Sequence, residues 1–506
     1  MSISKQTLEH DLLERTQALI KASQRTRQNA YDEHTRRSKR QVSTTEDFDF
    51  TQPQLWGSSN LHNPYFVRSR RRQLAHRVVR EIKNRTYEPN PPFKFSIAKE
   101  NGKDRQISAF NIVDEAVSHA LLRSLTSKNL QKLSTHSYAY LPDRGPYDAI
   151  ARLQTEWSDQ DRLYIAEFDF RDFFGSLDHQ ELIGKIQKEN LLVSKEEQFL
   201  IEVFLKVMAP IHQKGLSQGT SLSVLLANLA AIDLDRGFEQ IGVGYVRYAD
   251  DTIFWSRDYN RISEAADFIY RAAREIGTAV NDSKSPGIRM LVRSDNQATE
   301  IPSTTQVDFL GHSIGIERTA LSQVSMDRIQ SDINGIIYQT LLREPLRGNQ
   351  NLDRLGSLDR DYVTCIWQLR SYIYGNLTEN ELRRFGSSTN PSQKRYRGAA
   401  ALYPLVNDLE QLESIDHWLS ARLRSALRKR QSLLPSYASS LEPYLSLNSP
   451  SLNELSNLKQ RSSTTNQIID LRIPSFRLIN RVLHSAINEH GFAVTSKTAG
   501  NFLYSL

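Results

Sequence analysis

The sequence predicts an α+β protein that is divided into more than one domain. Strand-like runs occur between residues 93 and 256, and helix-like runs separate them. From about residue 320 to 506 the chain has few strand-like runs and its apolar residues recur at helical spacing. One stripe there is typical of a buried helix face: Leu412, Ile415, Leu419, Leu423 and Leu427. A chain of 506 residues also exceeds what one hydrophobic core usually holds.

The N-terminal part is polar and basic. Residues 3–40 are predicted to form one or two polar helices, 41–64 a connection and 66–85 another helix. Residues 1–90 hold 17 Lys and Arg against 10 Asp and Glu, which accounts for the net charge of +7. Two clusters carry this charge: Arg36-Arg37-Ser38-Lys39-Arg40 and Arg68-Ser69-Arg70-Arg71-Arg72. Such clusters suit phosphate backbones, and a solvated face or a flexible tail is the alternative.

The middle of the chain alternates between strand and helix patterns. Apolar and polar residues alternate from Phe93 to Lys99, and the following Asn101-Gly102 pair favours a tight β-hairpin turn. The return strand includes Arg105 and Ile107. Further segments are helix-like (112–126 and 180–208) or strand-like (162–170 and 243–256).

Composition excludes several classes of protein. No stretch approaches eighteen consecutive apolar residues, so we expect no membrane span. The N-terminus lacks the apolar segment of a secretory signal. A single cysteine, Cys365, excludes an internal disulfide and a cysteine-based zinc site. We therefore expect a cytoplasmic protein.

Two segments place carboxylates at the ends of strands. Asp169 follows an apolar run, and Asp250-Asp251 interrupt the β-rich segment Tyr245–Trp255, as in a hairpin with acids at its tip. Adjacent buried carboxylates are costly unless cations compensate. Mg²⁺ prefers such hard oxygen ligands together with substrate phosphates. The pattern therefore predicts a metal site that acts on a phosphate.

A loop lies between these acidic segments. Residues 215–223 are small and rich in hydroxyl groups, include Gln218 and Gly219, and lead into a helix-like run. Small residues let a backbone approach a nucleotide closely, and a helix N-terminus tolerates negative charge. Any loop before a helix could have the same composition.

Taken in order, these segments resemble conserved blocks of reverse transcriptases. Asp169, Gln218-Gly219 and Tyr248-Ala249-Asp250-Asp251 resemble the first-aspartate, Gln-Gly and Tyr-Ala-Asp-Asp blocks. Four other segments resemble the fingers signature, a block of the bacterial branch, the block that ends in a lysine, and the primer grip: 99–107, 137–145, 277–284 and 308–312. The ordered set runs from roughly residue 93 to 314, and chance would hardly produce it.

The resemblance implies roles for individual residues. Asp169, Asp250 and Asp251, with the backbone carbonyl of Phe170, would hold two Mg²⁺ ions, Mn²⁺ being the alternative. Lys284 would protonate the pyrophosphate leaving group. Arg105, with Lys99 or Lys103, would meet the incoming triphosphate. Gln218 and Gly219 would line the nucleotide pocket. The ring of Phe174 would exclude a 2′-hydroxyl, which favours deoxynucleotides. The primer end would be supported by Phe309, Leu310 and Gly311.

The resemblance also implies a right-hand polymerase. Residues 1–60 would be a helical basic extension, 61–318 the fingers and a palm with an antiparallel sheet, 319–430 an α-helical thumb and 431–506 a helical appendage. Several departures from the common pattern resemble the defence-associated and abortive-infection branch of bacterial reverse transcriptases: Gln106, Ala139, Ser217, Ser221 and Val224.

The expected function is RNA-directed DNA synthesis from deoxynucleoside triphosphates, with a dedicated structured non-coding RNA as template and a role in bacterial antiviral defence. A retron or group II intron-type enzyme, an untemplated terminal transferase and an inactive polymerase fold used for binding are the alternatives. The primer and the oligomeric state are left open, a homo-oligomer included.

Overall fold

A computed structural model describes residues 3–43, 47–98, 104–209, 213–293, 300–355, 359–375, 377, 379–385, 395–434, 459–461 and 468–495. The chain divides into two compact units. The first unit comprises residues 1–27 and 50–305, and the second comprises residues 28–49 and 306–506. Both contain helices and antiparallel strands, so the predicted α+β class is confirmed.

The α-helices of the described residues are α1 (Lys5–Arg40), α2 (Gln54–Ser58), α3 (Pro64–Lys83), α4 (Ile112–Asn129), α5 (Pro146–Trp157), α6 (Phe173–Ser176), α7 (His179–Lys188), α8 (Lys195–Met208), α9 (Ser221–Ala230), α10 (Ile232–Ile241), α11 (Tyr259–Ile276), α12 (Gln323–Ile337), α13 (Arg343–Leu346), α14 (Arg360–Tyr374), α15 (Glu379–Phe385), α16 (Leu409–Leu433) and α17 (Phe476–His490). Short 3₁₀ helices are Asn60–His62, Leu130–Lys132, Leu352–Arg354, Ala399–Leu402 and Gly491–Val494, and Tyr338–Leu342 is a π-helix.

The strands of the described residues are β1 (Phe93–Ala98), β2 (Asp104–Ala109), β3 (Arg162–Phe168), β4 (Phe170–Arg171), β5 (Gly244–Tyr248), β6 (Asp251–Ser256), β7 (Ala279–Val280), β8 (Gly287–Val292), β9 (Ser303–Thr304), β10 (Val307–Phe309), β11 (His312–Ile314), β12 (Thr319–Leu321), β13 (Lys459–Arg461) and β14 (Ile468–Asp470). The segment 243–256 is therefore the hairpin β5–β6, as its pattern predicts. β1 and β2 also pair antiparallel, while the Asn101-Gly102 turn between them lies outside the described residues.

A mixed sheet forms the centre of the first unit. Its strand order is β5-β6-β3-β8-β9, with antiparallel pairing everywhere except between β8 and β9. The helix α11 packs against β3, β6 and β8. It is capped by Asp258, whose Oδ1 accepts the amide of Asn260 at 2.9 Å, and it ends at Gly277 in the left-handed region with φ +86°. α11 thus covers the sheet, whereas polar side chains lie at the ends of the strands.

The helix-like segment 180–208 is not one helix, which corrects the sequence prediction. Asn190 has a left-handed backbone with φ +48°, and α7 ends before it. Ser194 then starts α8 with a capping box, in which its Oγ accepts the amide of Glu197 and Glu197 accepts the amide of Ser194 at 2.8 Å. The local capping chemistry interrupts a helical pattern that apolar periodicity alone suggests is continuous.

The second unit is mainly helical. The helices α12, α14, α16 and α17 pack around a buried core that includes Cys365. The predicted apolar stripe of α16 is buried throughout, with each of its five side chains at most 3% exposed. A three-stranded antiparallel sheet, β10-β11-β12, precedes these helices in the chain. Helices of the described residues include none that is both long and apolar enough to cross a membrane.

Candidate active site

The three predicted metal-binding aspartates lie at one end of the central sheet. Asp169 directly follows β3, and Asp250 and Asp251 occupy the turn and the first position of β6. β3 and β6 pair antiparallel, and Phe168, the last residue of β3, lies opposite Thr252. Asp169 and Asp251 are the next residues beyond this pair, so both lie at the same end of the two strands. Asp169 is 9% exposed, Asp250 is half-buried and Asp251 is exposed. The structure therefore brings these three residues together.

Lys284 belongs to the same cluster. Its Nζ lies 2.9 Å from Oδ2 of Asp169 in an ion pair. This hydrogen bond raises the pKa of Lys284 against the opposing effect of partial burial, and the negative charges of Asp169, Asp251 and Asp250 add to the rise. All four residues predicted to be catalytic therefore interact at one place.

Asn281 is a site residue to which the sequence analysis assigned no role. Its Nδ2 donates to Oδ2 of Asp169 at 3.0 Å, and its amide donates to the carbonyl of Asp169 at 2.8 Å. The pairing of β4 with β7, with Phe170 opposite Val280, puts Asn281 next to Asp169. The sequence could have indicated a role for Asn281 through its position three residues before Lys284, within the block that ends in this lysine.

The donor set suits a hard divalent cation. Three carboxylates supply oxygen ligands, and one of them already holds a cationic group, the ammonium of Lys284. Among the described residues no three His, Cys, Asp or Glu side chains are grouped closely enough to enclose one ion. Mg²⁺ does not require such a cage, because it is usually held by one or two carboxylates together with substrate phosphates. A cation at Asp169 would compete with Lys284 for that carboxylate.

The Gln218-Gly219 loop is fixed against the hairpin strand β2. The amide of Ser108 donates to the carbonyl of Gln218 at 2.8 Å. Gly219 has φ +100°, and a Cβ atom there would lie 2.9 Å from the carbonyl oxygen of Ser108, so glycine is required for this approach. β2 also contains Arg105, paired with Ile97, although the Arg105 side chain and all of Lys99 and Lys103 lie outside the described residues.

The loop is also tied to α4. Ser221, the first residue of α9, donates through Oγ to Oε1 of Glu115 at 2.5 Å. The amide of Leu222 donates to Oγ of Ser118 at 3.0 Å. Arg15 of α1 lies 3.8 Å from the same oxygen of Glu115. Neither Glu115 nor Arg15 was identified from the sequence, because each is far from the loop along the chain.

Phe170 and Phe174 are both buried. Phe170 is 3% exposed and packs on Phe173, with ring centroids 5.5 Å apart. Phe174 is 8% exposed, and its carbonyl accepts the amide of Leu216 at 2.7 Å. The backbone of Phe174 therefore contacts the start of the loop that carries Gln218.

The predicted primer-grip residues belong to the second unit. Phe309 ends β10, and Leu310 and Gly311 form a two-residue turn into β11 with φ +48° and +78°. His312 stabilises the turn through a hydrogen bond of 3.0 Å between its Nδ1 and the carbonyl of Leu310. Burial lowers the pKa of His312 to about 4, so the imidazole is neutral, and its Nδ1 donates this bond in the tautomer that carries the proton on Nδ1.

The two basic clusters differ in their surroundings. Arg40 is 0% exposed and donates to Glu33 at 3.1 Å, and Arg36 lies over the ring of Trp367 at 5.5 Å. These side chains are part of the second unit's own packing. On α3, by contrast, Arg68, Arg70 and Arg72 are exposed, although Arg72 also pairs with Glu9 at 3.0 Å. The α3 cluster is thus the more accessible of the two.

Comparison with known proteins agrees with the geometry. Residues 97–314 match the family described as reverse transcriptase (RNA-dependent DNA polymerase). The group II intron-encoded protein LtrA of Lactococcus lactis subsp. cremoris is 28% identical over 185 residues, which cover 35% of this chain and 30% of that protein. The retron Ec73 reverse transcriptase of Escherichia coli is 25% identical over 199 residues, which cover 37% of this chain and 61% of that enzyme.

Among solved structures, apo telomerase from Candida tropicalis is 13% identical, with a TM-score of 0.37, 81% of this chain covered and 64% of that chain covered. The matched regions of the two bacterial relatives amount to about a third and three fifths of their lengths. Residues 97–314 of this chain therefore form a reverse transcriptase domain that has bacterial homologues.

Proposed function

We propose that this chain is an RNA-directed DNA polymerase that forms phosphodiester bonds with the help of two divalent metal ions. The observation that carries the proposal is the cluster at the end of β3 and β6, where Asp169 pairs with Lys284 and lies beside Asp250 and Asp251. A reaction at phosphate explains both the carboxylates and the lysine.

The reaction follows from the groups present. The 3′-hydroxyl of a primer gives up its proton to water and attacks the α-phosphorus of a deoxynucleoside triphosphate, and the bond to the leaving pyrophosphate breaks. Two Mg²⁺ ions held by Asp169, Asp250, Asp251 and the carbonyl of Phe170 would stabilise the attacking and leaving oxygens. Lys284 would donate a proton to the pyrophosphate. The Phe170 side chain is an apolar ring with no oxygen ligand, so its backbone carbonyl is the group that could contribute.

Nucleotide binding is assigned to the loop and the hairpin that it contacts. Gln218 and Gly219 would line the pocket, with Arg105 and Lys99 or Lys103 on the triphosphate. The close approach of Gly219 to β2 supports this assignment, because it brings the loop next to the strand that contains Arg105. Phe174 would set the choice of sugar, and the turn Phe309–Gly311 would support the primer.

In terms of domains, we assign residues 61–318 to fingers and palm, 319–430 to a thumb, and 1–60 and 431–506 to helical extensions. The template would be a dedicated structured RNA, held partly by the exposed arginines of α3, and the biological role would be bacterial antiviral defence. The accessible basic helix supports the RNA partner. The defence role is supported by the departures from the common sequence pattern, and the similarity to an intron-encoded protein and a retron enzyme supports those two types as the second candidate.

Incorporation of labelled deoxynucleotide on an RNA template with a DNA primer tests this assignment. We expect Asp250→Ala and Asp251→Ala each to abolish incorporation while the protein stays folded. The loss of one metal ligand removes on the order of several kcal/mol of transition-state stabilisation. Asp161 is a matched control, since it precedes the first residue of β3 whereas Asp169 follows the last. Asp161→Ala should retain full activity. Full activity in either Asp250→Ala or Asp251→Ala would refute the assignment.

A further inference from the structure

An arginine is buried in β5, beside the aspartate turn. Arg247 is 1% exposed, although the strand around it is apolar. Burial of a guanidinium destabilises the folded protein by on the order of several kcal/mol unless the group is paired and fully hydrogen-bonded. Its partner is Asp235 of α10, which is 2% exposed. Nε and Nη2 of Arg247 donate to the two carboxylate oxygens of Asp235, both at 2.7 Å, which is a bidentate pair.

The third guanidinium nitrogen reaches the turn itself. Nη1 of Arg247 donates to the carbonyl oxygen of Ala249 at 3.0 Å. Ala249 has a left-handed backbone with φ +59°, which is uncommon for alanine and is maintained only where the surroundings hold it. Its carbonyl belongs to the peptide group that continues into Asp250. The hydrogen bond therefore fixes the peptide plane from which the Asp250 side chain projects.

A buried asparagine connects this arginine to two other parts of the site. Asn228 of α9 accepts from Nη1 of Arg247 at 3.3 Å and donates to the carbonyl of Ala139 at 2.9 Å. The amide of Tyr138 donates to the carbonyl of Arg247 at 2.9 Å. The helix that follows the Gln218-Gly219 loop and the segment 137–139 are thus joined to the aspartate turn through Arg247, whose guanidinium contacts Asn228 and whose backbone carbonyl accepts from Tyr138.

We propose that Arg247, held by Asp235, is a positioning residue that sets the orientation of the Asp250 carboxylate for cation binding. This inference rests on the proposed function, because it assumes that Asp250 binds a cation. The alternative is an ion pair that only attaches α10 to β5. The two differ in what happens when the whole pair is replaced, since apolar residues of similar volume often substitute for a buried ion pair without loss of stability.

The test therefore uses the double variant Arg247→Met/Asp235→Leu. Its unfolding midpoint should stay close to that of the parent, while the hydrogen bond to Ala249 is lost. Mn²⁺ binding to the nucleotide-free protein, measured by electron paramagnetic resonance, should weaken at least tenfold, which is the lower end of the effect of removing a group that orients a metal ligand. The Mn²⁺ concentration for half-maximal incorporation should rise by a similar factor.

Two further variants make the result specific. Arg247→Lys keeps the charge beside Asp235 but cannot contact both carboxylate oxygens and Ala249, so it should also weaken Mn²⁺ binding even if the double variant does not fold. The control replaces another ion pair of the first unit, in which the half-buried Lys128 lies 2.6 Å from the buried Glu197. Lys128→Met/Glu197→Leu should leave Mn²⁺ binding unchanged.

The outcomes separate this inference from the proposed function. If Asp250→Ala binds Mn²⁺ as tightly as the parent, the metal assignment itself fails. If Asp250→Ala loses Mn²⁺ binding but Arg247→Lys and the folded double variant bind it as the parent does, the positioning role is refuted and the metal site stands. Equal weakening in the Lys128/Glu197 control would also refute the positioning role, since the loss of an ion pair elsewhere in the first unit would then have the same effect.

Discussion

Lys284 and Asp169 form an ion pair of 2.9 Å at the edge of the sheet where Asp250 and Asp251 also lie. The ammonium of Lys284 is bound to the carboxylate of Asp169, which a metal ion would also bind. In the proposed cycle, nucleotide and cations would draw Lys284 from Asp169 towards the pyrophosphate. One positive group would then first neutralise the carboxylates and later serve as the proton donor.

This arrangement predicts opposite effects on binding and on catalysis. Lys284→Met should tighten Mn²⁺ binding to the nucleotide-free protein, because a competing positive charge is removed from Asp169. The same change should lower the incorporation rate by 10²- to 10⁴-fold, roughly, the usual contribution of a general acid. Binding can be followed by electron paramagnetic resonance and incorporation by single-turnover kinetics. Lys284→Arg is the control, since it keeps the charge and should bind Mn²⁺ like the parent. Weaker Mn²⁺ binding in Lys284→Met would contradict the competition.

The second prediction concerns the sugar of the nucleotide. Phe174→Ala should raise the efficiency of ribonucleotide incorporation relative to deoxynucleotide, because the ring would no longer exclude the 2′-hydroxyl. Phe174 is buried, so the change should also destabilise the protein by about 3–5 kcal/mol. The neighbouring Phe173, 2% exposed, is a matched control: Phe173→Ala should destabilise similarly without changing the sugar preference. An unchanged ratio in Phe174→Ala would mean that this ring serves only the core.

The third prediction concerns the support of the nucleotide loop. Ser221 and Glu115 share a hydrogen bond of 2.5 Å at the start of α9, directly after Gln218-Gly219. Ser221→Ala and Glu115→Ala should each raise the KM for deoxynucleotide severalfold with little change in kcat, because the loop loses one of its two attachments to α4 and keeps only the bond from Leu222 to Ser118. The double variant should be no worse than the poorer single variant, since both changes remove the same bond. Glu115→Gln, which keeps the acceptor oxygen, should restore most of the affinity. Additive effects on KM would show that the two residues act separately.

The fourth prediction concerns the RNA partner. We expect a structured RNA to co-purify with the chain. Replacing Arg70, Arg71 and Arg72 of α3 by glutamine should weaken binding of that RNA and lower its salt dependence by about one unit of slope per lost phosphate contact. Activity on a generic primer-template should largely survive. Lys195→Gln/Lys206→Gln on α8 is the control, because both lysines are exposed and lie outside the basic N-terminal region. If the slope of RNA affinity against salt concentration is unchanged in the α3 variant, these arginines face solvent and do not contact the RNA.

The first basic cluster should respond differently. Arg40 is completely buried and bonded to Glu33, so Arg40→Gln should lower stability by a few kcal/mol, roughly, instead of weakening RNA binding selectively. Thermal unfolding of the variant separates the two effects. The sequence presents both clusters as equivalent runs of positive charge, and only the fold distinguishes them.

Local patterns were sufficient to predict part of the site. The acid-tipped hairpin β5–β6 and the strand before Asp169 are recognisable because alternation and an interrupting carboxylate pair are features of adjacent residues. The family resemblance then supplied Lys284 and Gln218-Gly219, which the structure brings near the acids or the hairpin β1–β2.

Residues that act through distant partners could not be predicted in this way. Arg247 meets Asp235 from a different element, twelve residues away, and Glu115 meets Ser221 across 106 residues. A charged residue inside an apolar strand does signal that a buried partner must exist, but its identity depends on how α10 and β5 pack. Similarly, the break between α7 and α8 depends on a cap at Ser194 that apolar periodicity does not reveal.

The most direct test of the central claim is to sequence the DNA made by the purified protein on a supplied RNA template with a DNA primer. The account predicts a DNA product complementary to that RNA, made only when template, deoxynucleotides and a divalent cation are all present, and absent with Asp250→Ala. Extension of the primer without a template, or a product unrelated to the RNA sequence, would contradict RNA-directed synthesis and would support an untemplated terminal transferase on the same fold.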